Sequence, residues 1–352
     1  MATYGTVALA DLLAATNQSV IEIGEDRTFG MIQAALDAHN AIMRDLTPFA
    51  EVSTDRRRRY GAADDMTMDL VDEFGRADAQ KVSAAANVEF PLAIRQRSLQ
   101  WTRDAMRRIT GAEMAAQVMS LQQADVRAMI ADFKTALLTA TNRTVLDRHV
   151  DGVSLGVKAL INADSQPIPL GPNGESFNVA THTHYLGTAA FVAADLSALI
   201  DTVVEHHANG TPMVYINKAQ EAAVRAFAGF TGYVDARIVQ AGGSATNIGR
   251  VGLDMGNPNN RAIGLFGAAE VWVKPWMPAS YAFTWVEGAP PPLVRRIDAV
   301  TGGDLEIVAE NEQFPLRART AERRYGFGAW NRSNGAALYV GGAAYVTPTI
   351  AA

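Results

Sequence analysis

Thr110-Gly-Ala-Glu113-Met114-Ala-Ala-Gln-Val118-Met-Ser-Leu121 opens a stretch in which neither proline nor a further glycine occurs until Gly152. Thr110 and Glu113 have the spacing of a capping box, in which hydroxyl and carboxylate each accept a backbone N–H at a helix start. Met114, Val118, Leu121, Val126, Met129, Ile130, Phe133 and Leu137 then recur as a broad apolar stripe at helical spacing. The pattern predicts one helix over about 111–140, roughly 45 Å long at 1.5 Å per residue. That is long for a globular enzyme and suits a girder. The heptad register drifts, which argues against a coiled coil.

Upstream the pattern changes. Residues 1–27 hold a single short apolar stretch, Val7-Ala-Leu-Ala-Asp-Leu-Leu13, and read as an arm without a core of its own. From Thr28 to Leu46, Phe29, Ile32, Leu36, Ile42 and Met43 fall at helical spacing. Between Phe49 and Trp101 the run Arg56-Arg57-Arg58-Arg59-Tyr60-Gly61, the pair Asp64-Asp65 and Gly75 break any such period. On the far side, Val88, Phe90, Leu92 and Ile94 alternate as in a strand. The reading is a long two-stranded excursion with a charged, flexible tip. A bare hairpin of that size is marginal in water and needs a partner surface. Charge sets the region apart: positions 51–110 carry 10 acidic and 11 basic side chains, whereas 228–293 carry 8 charged residues in all.

Downstream, Pro167, Pro169, Gly171, Pro172 and Gly174 mark a loop. Ala194-Asp195 opens a second helix, with Leu196, Leu199, Ile200, Val203 and Val204 on one face and Asn209-Gly210 closing it. Pro212 to Ile216 reads as a buried strand, and Asn217 with Gln220 caps a helix through Phe227; together these form the core of a small α/β unit. Ala241–Asn260 is loop-rich, with five glycines. Further strands are expected at Glu270–Val273, Tyr281–Val286, Leu305–Val308 and Leu338–Val346, with Pro290-Pro291-Pro292 as a rigid connector.

Composition narrows the function. The 352 residues include no cysteine, which excludes a disulfide framework, Cys-ligated zinc, iron–sulfur clusters and thiol chemistry. Without a basic residue before Arg27 a signal or transit peptide is not expected, and no apolar run reaches the ~18 residues of a membrane span. The expectation is a soluble chain in a reducing compartment. Its net charge of −6 argues against a nucleic-acid binder held by phosphate contacts.

A search for catalytic chemistry finds little. His182-Thr-His184 on a strand would place two imidazoles on one face, which is acceptable geometry for zinc. His206 and His207 diverge by about 100° on a helix, so that pair does not chelate one ion, and its imidazoles instead favour the helix C-terminus. With no HExxH or HxxE arrangement to supply a third ligand, ordinary polar contacts are the expectation for His182 and His184. Gly242-Gly243-Ser-Ala-Thr-Asn-Ile-Gly249 lacks the Lys-Ser/Thr ending of a phosphate-binding loop, and no GxSxG is present. No catalytic, cofactor-binding or metal residues are assigned. The Arg56–Arg59 run, flanked by Asp55, Asp64 and Asp65, has only Tyr60 for stacking bases; it fits a tip that pairs with carboxylates of a neighbouring chain.

The order of arm, charged hairpin, girder helix, compact α/β insert and returning strands resembles the major capsid (coat) protein of tailed bacteriophages, whose fold is shared with encapsulins. Arg324-Tyr-Gly-Phe-Gly-Ala-Trp-Asn-Arg-Ser-Asn-Gly-Ala-Ala-Leu338 is similar to the closing segment of one group of these proteins. Thr181-His-Thr-His-Tyr185 and Val271-Trp-Val-Lys-Pro-Trp276 also look like that group. The resemblance implies an α+β fold: N-terminal arm and helix at 1–46, extended β-hairpin loop at 47–100, peripheral domain with a long spine helix at 101–190 and 262–352, and axial α/β domain at 191–261. It implies a non-enzymatic subunit without cofactors, forming hexamers and pentamers of an icosahedral virion shell. That shell would be assembled in the host cytoplasm around double-stranded DNA, with separate scaffold, portal and decoration proteins. Subunit-interface candidates are Arg56, Arg57, Arg58, Arg59, Asp64, Asp65 and Lys81. Lys81 is the lysine of this hairpin, where some members crosslink to a neighbour's Asn; nothing in the sequence argues for that reaction here. Two other readings are an encapsulin-like compartment and a metal-dependent hydrolase using His182 and His184.

Overall fold

The computed structural model describes residues 9–44, 46–60, 68–78, 87–233, 260–311 and 316–350. Its helices are α1 (Leu9–Ala14), α2 (Val20–Ile23), α3 (Glu25–Arg44), α4 (Arg103–Met106), α5 (Gly111–Leu138), α6 (Ala193–Val204) and α7 (Glu221–Arg225). The first strands are β1 (Ala50–Ser53), β2 (Arg57–Arg59), β3 (Asn87–Glu89), β4 (Ala93–Thr102), β5 (Arg143–Leu146), β6 (Ser154–Val157), β7 (Tyr185–Thr188) and β8 (Thr211–Ile216). The remainder are β9 (Phe230–Gly232), β10 (Arg261–Phe266), β11 (Ala269–Val273), β12 (Tyr281–Glu287), β13 (Leu293–Ile297), β14 (Glu306–Asn311), β15 (Leu316–Ala329) and β16 (Ala336–Val340).

The capping box at Thr110 forms as its spacing requires. The hydroxyl accepts the Glu113 N–H at 3.2 Å, and Glu113 Oε2 accepts the Thr110 N–H at 2.8 Å. The 28-residue helix α5 that follows is about 42 Å long. It spans two cores. Met114, Val118 and Leu121 pack with the N-terminal helices, and Met129, Phe133 and Leu137 pack between the sheets.

The arm has a support that the sequence did not reveal. Thr28, Met31, Ile32, Ala35, Leu36, His39, Asn40 and Met43 line the buried face of α3 at helical spacing. Leu12, Val20, Met31 and Leu36 are buried with Met114 and Val118 of the chain's own α5. Gly111 permits the approach, since a Cβ there would lie 2.8 Å from Ile23 Cδ1 and 3.0 Å from the Leu12 carbonyl oxygen. Residues 9–44 thus have a core within the subunit, contrary to the expectation of an unsupported arm.

One sheet has the order β1-β13-β15-β14, with β4 also paired to β15. Among the described residues the excursion is therefore two-stranded over β2 and β3, while β1 runs parallel to β13 and β4 antiparallel to β15. The second sheet is β7-β16-β12-β8-β11-β10-β9. It crosses the expected domain edges: β8 from 191–261 lies between β11 and β12 from 262–352. A strand buried on both faces and edges needs such neighbours, which the local pattern of Pro212–Ile216 does not identify. Leu196, Leu199 and Val203 of α6 cover one face of this sheet. Strand β16 ends at Val340, short of the expected Val346, because Gly341 takes φ +156° and Gly342 follows.

The glycine–aromatic segment Tyr325-Gly-Phe-Gly328 falls in β15. Tyr325 and Phe327 are buried in the core with Phe133. On the opposite face, a Cβ at Gly326 would meet the Pro91 carbonyl oxygen at 2.2 Å, and one at Gly328 the Glu89 carbonyl oxygen at 3.0 Å. The alternation lets 89–91 lie directly on the strand.

Candidate functional site

The arginine run sits at the base of the excursion, not at a solvated tip. Arg56 donates to Asp151 through both terminal nitrogens, at 2.7 and 2.8 Å, and its Nε lies 3.3 Å from Asp147 Oδ2. Arg57 Nε donates to Glu89 at 2.6 Å. Arg58 donates to Glu51 at 2.9 and 3.0 Å and to Asp55 at 2.7 Å, with its guanidinium 5.0 Å over the Trp330 ring. Arg59 is exposed. The carboxylates that pair Arg56, Arg57 and Arg58 thus come from the same chain, and the Arg56 hydrogen bonds hold Asp151 below the ordinary carboxylate range. Asp64, Asp65 and Lys81 lie outside the described residues, as does Gly242–Gly249.

Among the described residues, His182, His184, Glu205 and His206 form a group whose ligand atoms lie within 4.8 Å of one another. His182 and His184 flank Thr183, whose bridge to Asn162 and the His184 N–H bond to the Ile161 carbonyl at 2.8 Å fix the segment entering β7. His206 and Glu205 follow directly on α6. The three Nε2 atoms converge: His182 to His206 is 3.0 Å, His184 to His206 is 3.1 Å, and His182 to His184 is 3.2 Å. Glu205 Oε1 lies 3.4 Å from His182 Nε2 and 3.9 Å from His206 Nε2.

Burial keeps these rings neutral. It lowers His182, pushes His184 well below its ordinary value, and takes His206 down to about 3 with help from His182 and His207. Burial also raises Glu205, aided by Asp201. The Nδ1 of His184 faces the Gly335 carbonyl oxygen at 2.8 Å, so in the neutral ring it carries the proton and Nε2 presents its lone pair. Phe177 lies against the group, its ring centre 4.1 Å from that of His206 and 4.9 Å from that of His182.

His182 and His184 thus meet a third imidazole and a carboxylate. The third imidazole and the carboxylate missing from the sequence reading come from the end of α6, more than 20 positions away. His206 and His207 lie beyond the end of α6 at Val204 and not in its last turn, and His207 points away from the cluster, its Nε2 3.1 Å from Ser333 Oγ. No local spacing joins 182–184 to 205–206; packing of the 158–184 loop against α6 does.

The fold is the α+β fold expected from the resemblance to tailed-phage capsid proteins. A solved structure from Mycobacterium phage Patience is similar with a TM-score of 0.66 and 20% identity, over 99% of this chain and 96% of that one. The capsid of the native GTA particle is similar at 0.47 and 15% identity, over 84% and 90% of the two chains. The holo-SrpI encapsulin complex from Synechococcus elongatus PCC 7942 is similar at 0.45 and 10%, over 88% and 90%. Comparison with protein-family models and with curated proteins finds no match.

Proposed function

We propose that this chain is the major capsid protein of a tailed phage, a non-enzymatic subunit whose copies form the hexamers and pentamers of an icosahedral virion shell. In this reading the shell assembles in the host cytoplasm and encloses double-stranded DNA without sequence-specific contacts. Scaffold, portal and decoration functions belong to other proteins. The fold similarity to a phage structure over nearly the whole chain supports the reading.

The observation that carries it lies in the excursion. Met68 and Leu70 are fully exposed and Phe74 is 89% exposed, within seven residues. Burying each such side chain is worth about 1.5–3 kcal/mol, and a patch of this kind marks an interaction surface. Residues 68–74 of the 47–100 loop thus offer apolar side chains to a neighbour, although the base of the loop is tied to its own chain.

The hydrolase reading fares worse on geometry. With Glu205 and His206 beside His182 and His184, four protein donors lie within 4.8 Å of one another, a number that suits a closed structural site better than a catalytic one with an open position. Size-exclusion chromatography and negative-stain microscopy of the purified chain test the proposal. Shells are the expected result. A stable monomer at high concentration would overturn it, and shells filled with a protein cargo instead of nucleic acid would favour the encapsulin-like alternative.

A further inference from the structure

We propose that His182, His184, His206 and Glu205 form a tetrahedral zinc site that fastens the end of α6 to the 158–184 loop. The convergence of three imidazole nitrogens is the starting point. Within the triangle of 3.0–3.2 Å edges a single proton bridges two nitrogens at a time, leaving the third lone pair facing them. A cation at the centre bonds all three.

The distances select the coordination. Zinc–nitrogen bonds of about 2.0–2.1 Å at tetrahedral angles separate neighbouring ligand atoms by about 3.3 Å. The three His–His separations and the 3.4 Å between His182 and Glu205 Oε1 lie near that value, and the exposed Glu205 side chain, 3.9 Å from His206 Nε2, has to close by about half an ångström to complete the set. A square-planar ion sets one pair among any three ligands opposite each other, about 4 Å apart at similar bond lengths, so copper(II) and nickel(II) geometry fits poorly. Three imidazoles and a carboxylate, with no sulfur, match the ligand preferences of zinc.

The surroundings fit the same role. The Gly335 carbonyl orients His184, which is the usual partner for the distal nitrogen of a metal-bound imidazole. Phe177 supplies an apolar cover. The consequence is mechanical: the ion joins two segments, 182–184 and 205–206, and reaches the turn at Gly335 through the His184 hydrogen bond.

The test uses the full chain. Purified protein is dialysed with zinc, freed of excess, and analysed for metal by mass spectrometry and for melting temperature with and without a strong chelator. About one zinc per chain and a lower melting temperature after chelation, restored by zinc, are expected. Cobalt(II) in place of zinc gives the intense visible bands of a tetrahedral centre. His206→Ala abolishes both signals, while His207→Ala, one position away but turned toward Ser333, keeps them. Should His206→Ala fail to fold, chelation and readdition on the native chain still decide. Substoichiometric metal with no thermal shift, the pale spectrum of octahedral cobalt, or undiminished zinc in a folded His206→Ala would overturn the site.

Discussion

The Asp147 carboxylate, fully buried, stands 2.9 Å from Arg296 Nη1, and that same nitrogen donates to the Phe90 carbonyl oxygen. Asp147 Oδ2 also lies 3.3 Å from Arg56 Nε, so one carboxylate ties the arginine run to the floor of the sheet. Removing it leaves Arg296, 6% exposed, as an uncompensated buried charge. Asp147→Ala is expected to destabilise the subunit by about 3–5 kcal/mol in denaturant unfolding. Charge reversal across Arg56–Arg59 should likewise lower the melting temperature of the isolated subunit. A reversed variant that melts like wild type and fails only in assembly would show that these pairs carry no weight in the fold.

Gly326 and Gly30 give opposite expectations for the same substitution. At Gly326 a Cβ meets backbone at Pro91, which cannot rotate away, so Gly326→Ala is expected to cost about 1–3 kcal/mol or more. Gly30 is exposed within α3 and has nothing within 4 Å of its would-be Cβ. There alanine should stabilise by about 0.5–1 kcal/mol through helix propensity. Thermal melts of the two variants read the sign directly.

Glu221 predicts the acid limit of the second sheet. Burial alone would raise its carboxyl, but hydrogen bonds from Lys218, Arg261 and Arg225 outweigh it and hold the group at about 2. A carboxylate depressed in the folded state contributes stability that is complete above its unfolded value of 4.5 and is lost as pH falls from there toward 2. Glu221→Gln should therefore lower stability at neutral pH and flatten its decline in that window. Parallel pH–stability curves for the two proteins would refute the assignment.

Met68, Leu70 and Phe74 test the contact surface. Changing all three to serine is expected to leave the melting temperature of the unassembled subunit within a few degrees of wild type, since exposed positions contribute little to the fold. Shell yield should fall sharply. Normal shells from this variant would remove the excursion's apolar residues from assembly.

The parts legible in the sequence were those written locally. The girder was announced by Thr110, Glu113 and an uninterrupted stripe, and it formed between residues 111 and 138. What sequence concealed was partnership across long distances. The first part of β15, Leu316–Arg323, did not read as a strand because Arg317, Arg319 and Arg323 obscure its alternation, yet Arg323 is buried. Its guanidinium is paired 3.0 Å from Asp125 on α5 and donates to Asn40 on α3 at 2.6 Å. Arg56 was misplaced for the same reason, since its carboxylates at 147 and 151 lie about 90 positions away in the chain. The third histidine of the cluster had no spacing to betray it.

Because α5 has one end in the core beneath the N-terminal helices and the other among the aromatic rings between the sheets, neither half of the subunit can melt by itself without stripping apolar surface from the rod that both share. Heating should accordingly give a single calorimetric peak for the body of the protein, and a disturbance at its amino-terminal end should be felt some 40 Å away at Phe133 and Leu137.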